Sequence, residues 1–275
     1  MRGEFVDLEG CRLYYFAAGT RGVGEPVVFI HGFPTASHLW SEVARDMPAG
    51  HRLVLVDLLG FGRSDRPANA PLTAAAHADR VLKLMDDLRI DAACIVGHGM
   101  GGAVAQQLAV HAPARVTRLA LVNSTAFDTW PRGAARVARV VAGTSLGRLL
   151  GAPLLAGLAH TSLLHGFADR EVGRHELDHY LRAFTTRLGV DALVAQFRAL
   201  RDDGVSALGA RLCDVRVPTA VIWGADDPWL PVTLGERLRN AIPGATLEVI
   251  PGARHFTPHD APERVAAALG ALLRR

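Results

Sequence analysis

The sequence predicts an α/β fold, a mostly parallel sheet with helices on both faces and an inserted helical cap. Three observations carry that prediction. Short apolar runs of β type recur at Val27–Ile30, Leu53–Val56, Ala93–Val96, Thr117–Asn123, Thr219–Trp223 and Thr246–Ile250, mostly separated by segments with helical spacing. From about Phe127 to Cys213 this rhythm stops and the pattern is helical throughout. Finally, Cys94–Ala103 passes from strand to helix through a glycine-rich turn. The predicted core is therefore residues 1–126 and 214–275, with 127–213 lying as a cap over the carboxyl edge of the sheet.

The elements follow in order. Phe5-Val6-Asp7-Leu8 and Arg12-Leu13-Tyr14-Tyr15-Phe16 flank Glu9-Gly10-Cys11, an N-terminal hairpin. Val27–Ile30 is continuously apolar, as a strand covered on both faces must be, and it ends in His31-Gly32-Phe33-Pro34. A helix is expected over Ser37–Asp46, then the strand Leu53–Val56, whose exit loop runs from Asp57 to Pro67 through Gly60 and Gly62. Thr73 is a suitable cap for a helix reaching Leu88. After Thr219–Trp223 come a helix over Leu234–Ala241, the strand Thr246–Ile250 and a final helix over Pro262–Leu273.

Composition narrows the function. The chain has 275 residues, 49% hydrophobic and 21% charged, enough for one large domain with an insertion. Its net charge of +3 is a small surplus of 30 basic over 27 acidic residues, and Arg132, Arg136, Arg139 and Arg148 are scattered, not gathered. That pattern supports solvated surface and no nucleic-acid partner. Cys11, Cys94 and Cys213 have no metal-ligand spacing and read as reduced thiols of a cytoplasmic protein. The acids of Met1–Asp7 occupy positions where a signal peptide needs an apolar core. The uncharged stretches Ala92–Ala114 and Leu149–Ala168 contain too many glycines and polar residues for membrane spans. No phosphate loop, metal cluster or redox motif appears, so no cofactor is implied, and the expected partner is a small-molecule substrate.

Gly97-His98-Gly99-Met100-Gly101 has the frame of a nucleophile elbow, G-x-S-x-G, in which a strained turn lifts the central side chain above the sheet. Here that central position is glycine. Gly97-x-Gly99-x-x-Gly102 also satisfies the dinucleotide fingerprint, but the next strand, Leu119–Ser124, ends without the acid that would hold a ribose. Two later loops complete a pattern. Trp223-Gly224-Ala225-Asp226-Asp227-Pro228 follows one strand, and Pro251-Gly252-Ala253-Arg254-His255-Phe256 follows the next.

In that order these motifs resemble the α/β-hydrolases over nearly the whole chain. The resemblance implies an acid three residues past the loop glycine, Asp227, a histidine, His255, and a nucleophile at position 99. It further implies oxyanion donors from the backbone N–H groups of Phe33 and Met100. His31-Gly32-Phe33-Pro34 resembles the H-G-x-P loop of epoxide hydrolases, and Asn123-Ser124 to Trp130-Pro131 resembles the start of the cap in epoxide hydrolases and haloalkane dehalogenases. Dehalogenases usually carry tryptophan where this chain has Met100 and asparagine where it has Phe33, which speaks against that chemistry. In epoxide hydrolases, cap tyrosines donate to the epoxide oxygen, and Tyr180 is the one tyrosine in this cap segment. Gly-His-Ser-Met-Gly-Gly is equally an esterase elbow. His31, Trp130 and Tyr180 are the candidate substrate contacts, although His31, like His98, also suits a bracing role. The leucines at 149, 150, 154, 155, 163 and 164, with Trp130 and Phe167, suit an apolar pocket ceiling.

Glycine at 99 forbids covalent catalysis from that position. Three readings follow: a hydrolase for apolar esters or epoxides deliberately disabled at its nucleophile; a native catalyst using the His255–Asp227 pair as general base for hydrolysis, elimination or cyclisation; and a non-catalytic receptor.

Overall fold

The computed structural model describes residues 2–19, 24–67, 69–127, 157, 160–184 and 205–275. Its centre is an eight-stranded sheet. The strands are β1 (Arg2–Leu8), β2 (Cys11–Ala18), β3 (Val27–Ile30), β4 (Leu53–Val56), β5 (Ala93–His98), β6 (Val116–Val122), β7 (Thr219–Gly224) and β8 (Thr246–Ile250). Their order is β1-β2-β4-β3-β5-β6-β7-β8. β1 pairs antiparallel with β2, and β2 with β4; every later pairing is parallel.

Helices among the described residues include α1 (Ser41–Asp46), α2 (Ala74–Asp87), α3 (Met100–His111), α4 (Arg170–Leu181), α5 (Val205–Arg211), α6 (Val232–Ala241), α7 (Thr257–Asp260) and α8 (Pro262–Leu273). Thr73 caps α2, its side chain accepting from the Ala76 N–H at 3.1 Å. β3, β4 and β5 are buried along their whole length, which is why β3, β4 and the Ala93–Val96 part of β5 read as unbroken apolar runs. Phe29, Trp40, Leu55 and Trp223 lie in this core, each contributing about 1.5–3 kcal/mol by burial.

Most sequence boundaries hold within two residues. The helix expected over Ser37–Asp46 is instead a 3-10 turn, Ser37–Trp40, followed by α1. The short α7, directly after His255, was not expected. It opens with a proline at its second position, placed where the missing N–H costs nothing. The segment expected to be helical throughout is helical over 160–163, α4 and α5; most of the rest of 127–213 lies outside the described residues. No described helix is long and apolar enough to cross a membrane.

The parallel order places the exits of β3, β5, β6, β7 and β8 along one edge of the sheet. A ligand site belongs there, because the loops at those carboxyl ends converge from several strands.

Candidate active site

The turn between β5 and α3 is held through the backbone of residue 99, independently of any side chain at that position. Gly99 has φ 54° and ψ −120°. Its carbonyl accepts from Gly102 N, Thr125 N and Thr125 Oγ1 at 3.0–3.1 Å, and its N–H donates to Val122 O at 3.2 Å. The flanking glycines are required by close approach: a Cβ on Gly97 would lie 2.3 Å from the Gly101 carbonyl oxygen, and one on Gly101 would lie 2.4 Å from those of Ile30 and His31. At Gly99 the surroundings are different. A Cβ there would meet Gly32 Cα at 3.6 Å and His255 Nε2 at 3.7 Å, both ordinary contacts. The turn thus retains the shape and the room for a side chain that glycine does not supply.

The acid and the histidine come together as the sequence motifs imply. His255 Nδ1 donates to Asp227 Oδ2 at 2.8 Å, leaving Nε2 as the acceptor that faces position 99. Asp227 is the engaged member of its pair; Asp226 is exposed. The other Asp227 oxygen accepts from the N–H groups of Trp229 and Leu230 at 2.9 and 3.0 Å. Burial alone would raise this carboxyl, but His255 and those two amides outweigh it and hold Asp227 below the usual carboxylate range. Asp227 therefore stays ionised and fixes the imidazole tautomer.

Further contacts hold the histidine loop. His98 Nε2 donates to the His255 carbonyl oxygen at 2.9 Å, and burial, with His255 adding to it, pushes His98 down to about 3, so it stays neutral. Gly166 O accepts from Phe256 N at 3.0 Å, Phe167 stacks on Phe256 at 4.2 Å, and Asp260 joins Ala168 N to Arg254 N. The Trp229 ring meets His255 edge-on at 4.8 Å.

Other sequence candidates fall in distinct places. Met100 is the first residue of α3, so its N–H has no acceptor within the helix, as an oxyanion donor requires. Phe33 lies in the loop after β3, its ring 6.1 Å from Phe61. His31 is buried and spends both ring nitrogens on backbone: Nδ1 donates to Gly32 O at 2.8 Å and Nε2 accepts from Leu58 N at 3.0 Å. It braces two loops, and no ring nitrogen remains for substrate. The Tyr180 hydroxyl bonds His259 Nε2 at 2.8 Å in a cluster with Glu176 and His38. Trp130 lies outside the described residues, as do leucines 149, 150, 154 and 155.

One site residue has no chemical role in the sequence reading, where Asn123 is a strand end and the start of the cap. Its side-chain NH2 donates to Asp227 Oδ2 at 2.7 Å. The available signal was an amide closing an otherwise apolar run at the carboxyl edge of the sheet.

Comparison with known proteins agrees with this architecture. A family model described as alpha/beta hydrolase fold matches residues 25–262. An uncharacterised protein of Mycobacterium tuberculosis is 31% identical over 95% of this chain and 78% of its own length. Haloalkane dehalogenase 2 of the same organism is 28% identical over 97% of this chain and 93% of its own. Among solved structures, an alpha/beta hydrolase fold protein from Burkholderia ambifaria superposes with a TM-score of 0.85 at 26% identity, covering 97% of this chain and 96% of that one.

Proposed function

Because the chain belongs to the alpha/beta hydrolase fold family, we propose that it hydrolyses a medium-sized apolar carboxylic ester by direct attack of water, with no covalent intermediate. One observation carries this reading: His255 Nε2 stands 3.7 Å from the point where a Cβ at position 99 would sit, while Nδ1 is committed to Asp227. A water in that space can donate to Nε2 and face the same reacting carbon a serine would have faced.

The steps balance without any other reactant. The water oxygen attacks the ester carbonyl carbon as Nε2 takes its proton, and the carbonyl electrons move to oxygen. The N–H groups of Met100 and Phe33 stabilise that oxyanion. As the C–O bond to the leaving alcohol breaks, the imidazolium returns its proton to the alkoxide, giving acid and alcohol. Removing a triad nucleophile elsewhere costs about a millionfold in turnover, while binding and the oxyanion site leave roughly 10³–10⁴-fold over water. Modest turnover is therefore expected.

Esters are favoured over epoxides because Tyr180, the candidate donor to an epoxide oxygen, already has its hydroxyl on His259. Phe33 and Met100 stand where the dehalogenase pattern has asparagine and tryptophan, so halide release is not proposed despite the dehalogenase relative. Trp229, whose ring meets His255, and Phe33, next in the chain to Gly32, suit an apolar acyl chain.

The test is hydrolysis of a chain-length series of p-nitrophenyl esters in ¹⁸O-water, with an epoxide series alongside. Slow release that disappears in His255→Ala, with a single ¹⁸O in the acid during one turnover, is the expected result. Tight binding of the same compounds with no product would instead support the receptor reading.

A further inference from the structure

We propose that Asn123 is a positioning residue for the Asp227–His255 couple, its amide oriented by the Gly224 N–H. The assignment rests on His255 acting as the base, and its evidence lies in three loops meeting at one side chain.

The orientation of the amide is set by its surroundings. Asn123 Oδ1 accepts from Gly224 N at 3.1 Å and lies 2.7 Å from Thr257 Oγ1, whose single proton is shared between it and Arg254 O, also at 2.7 Å. A backbone N–H can only donate, so the atom facing Gly224 must be the oxygen, and the NH2 must point the other way. It points at Asp227 Oδ2, 2.7 Å away, the same oxygen that accepts from His255 Nδ1 at 2.8 Å. A second, longer contact runs from Nδ2 to Arg254 O at 3.4 Å, on the histidine loop itself.

Asp227 thus has donors on both oxygens: Trp229 N and Leu230 N on Oδ1, Asn123 and His255 on Oδ2. Without Asn123 the carboxylate could rotate about its bond to Cβ and carry the imidazole with it. Charge matters as well. The amide stabilises the carboxylate with no charge of its own, so the couple keeps one negative charge for one imidazole. Asn123 also binds the acid turn after β7 to the histidine loop after β8, although it comes from the end of β6.

Its backbone supports a role beyond filling space. Asn123 has φ 40°, in the left-handed region, while its N–H donates to Ile222 O at 3.0 Å. Asparagine tolerates that region better than most residues, and non-glycine residues held there cluster at functional sites.

The experiment reads the resting protein by proton NMR with ¹⁵N-labelled histidine, so it needs no substrate. The parent should show a strongly downfield Nδ1 proton that vanishes in His255→Ala. In folded Asn123→Ala that proton should exchange with water at least tenfold faster. In Asn123→Asp, where a carboxylate that cannot donate to Asp227 replaces the amide, the same exchange should accelerate. Thr257→Val removes a hydroxyl that also reaches Arg254 O at 2.7 Å, so only a smaller shift is expected there, and Asn123→Asp decides the matter if Asn123→Ala does not fold. On any ester turned over, Asn123→Ala should lower kcat with KM changed less than twofold. A folded Asn123→Ala or Asn123→Asp with the parent's proton signal and exchange rate would overturn this proposal alone. A parent without the His255 proton would overturn the base reading together with it.

Discussion

Replacing Gly99 with serine should convert the site into a covalent esterase. The turn at 99 already holds φ 54° and ψ −120°, locked by three bonds to its carbonyl. A serine Cβ would touch only Gly32 Cα and His255 Nε2, at 3.6 and 3.7 Å, so no backbone has to move. From that Cβ, a suitable rotamer brings Oγ within about 3 Å of Nε2, the reach of a nucleophile–base hydrogen bond. The cost is backbone strain of about 1–3 kcal/mol for an L-residue in this region, a fall in Tm of about 2–5 °C for a chain of this size. The gain is a nucleophile whose removal elsewhere costs about 10⁶ in turnover, or about 8 kcal/mol; even partial geometry should return 10²–10³. The assay is p-nitrophenyl ester hydrolysis with burst kinetics, plus labelling by a fluorophosphonate. Gly99→Ser should acquire both, residue 99 should carry the label, and Gly99→Ser with His255→Ala should lose both. A folded Gly99→Ser that neither labels nor turns over would refute the claim that base and oxyanion donors converge on this position.

Other outcomes follow from the same contacts. Asp227→Asn should lower kcat about 10⁴-fold, because an amide no longer holds the imidazole in the tautomer with Nε2 free; a loss below tenfold in kcat/KM would count against the couple. Gly97→Ala forces a methyl to 2.3 Å from the Gly101 carbonyl oxygen and should cost at least about 3 kcal/mol, read as a lower urea midpoint. The attachment of α4 to the core should weaken on both sides of about pH 6.5. His38 is raised by its contact with Glu176, so its contribution is complete below its ordinary value of 6.5 and is lost as pH climbs through the raised folded value. Burial pushes His259 down to about 4, so protonation pulls against the folded state as pH falls from 6.5 toward 4. Hydrogen exchange of α4 amides at pH 5, 6.5 and 8.5 should show slowest opening in the middle, with Glu176→Gln flattening the alkaline side; a flat profile in the parent would exclude this linkage.

Much of the fold was written in local pattern. β3, β4 and the Ala93–Val96 part of β5 announce themselves because a strand buried on both faces reads as a continuous apolar run, and Thr73 announces α2 because an orphan N–H needs a side-chain acceptor there. The elbow, the acid loop and the histidine loop were legible for the same reason: each is a short glycine-bearing turn after a strand, and glycine spacing is a local requirement. What sequence could not supply was anything set by atoms far apart in the chain. Only the parallel order of β5, β6, β7 and β8 puts Asn123 against Asp227, Gly224 and Thr257, 101 to 134 residues away. Only packing decides that the Tyr180 hydroxyl goes to His259 and that His31 has both nitrogens occupied. A polar side chain carries its donors and acceptors in the sequence, but which partner satisfies them is a question of distance and burial. That choice is made by the sheet once it has formed.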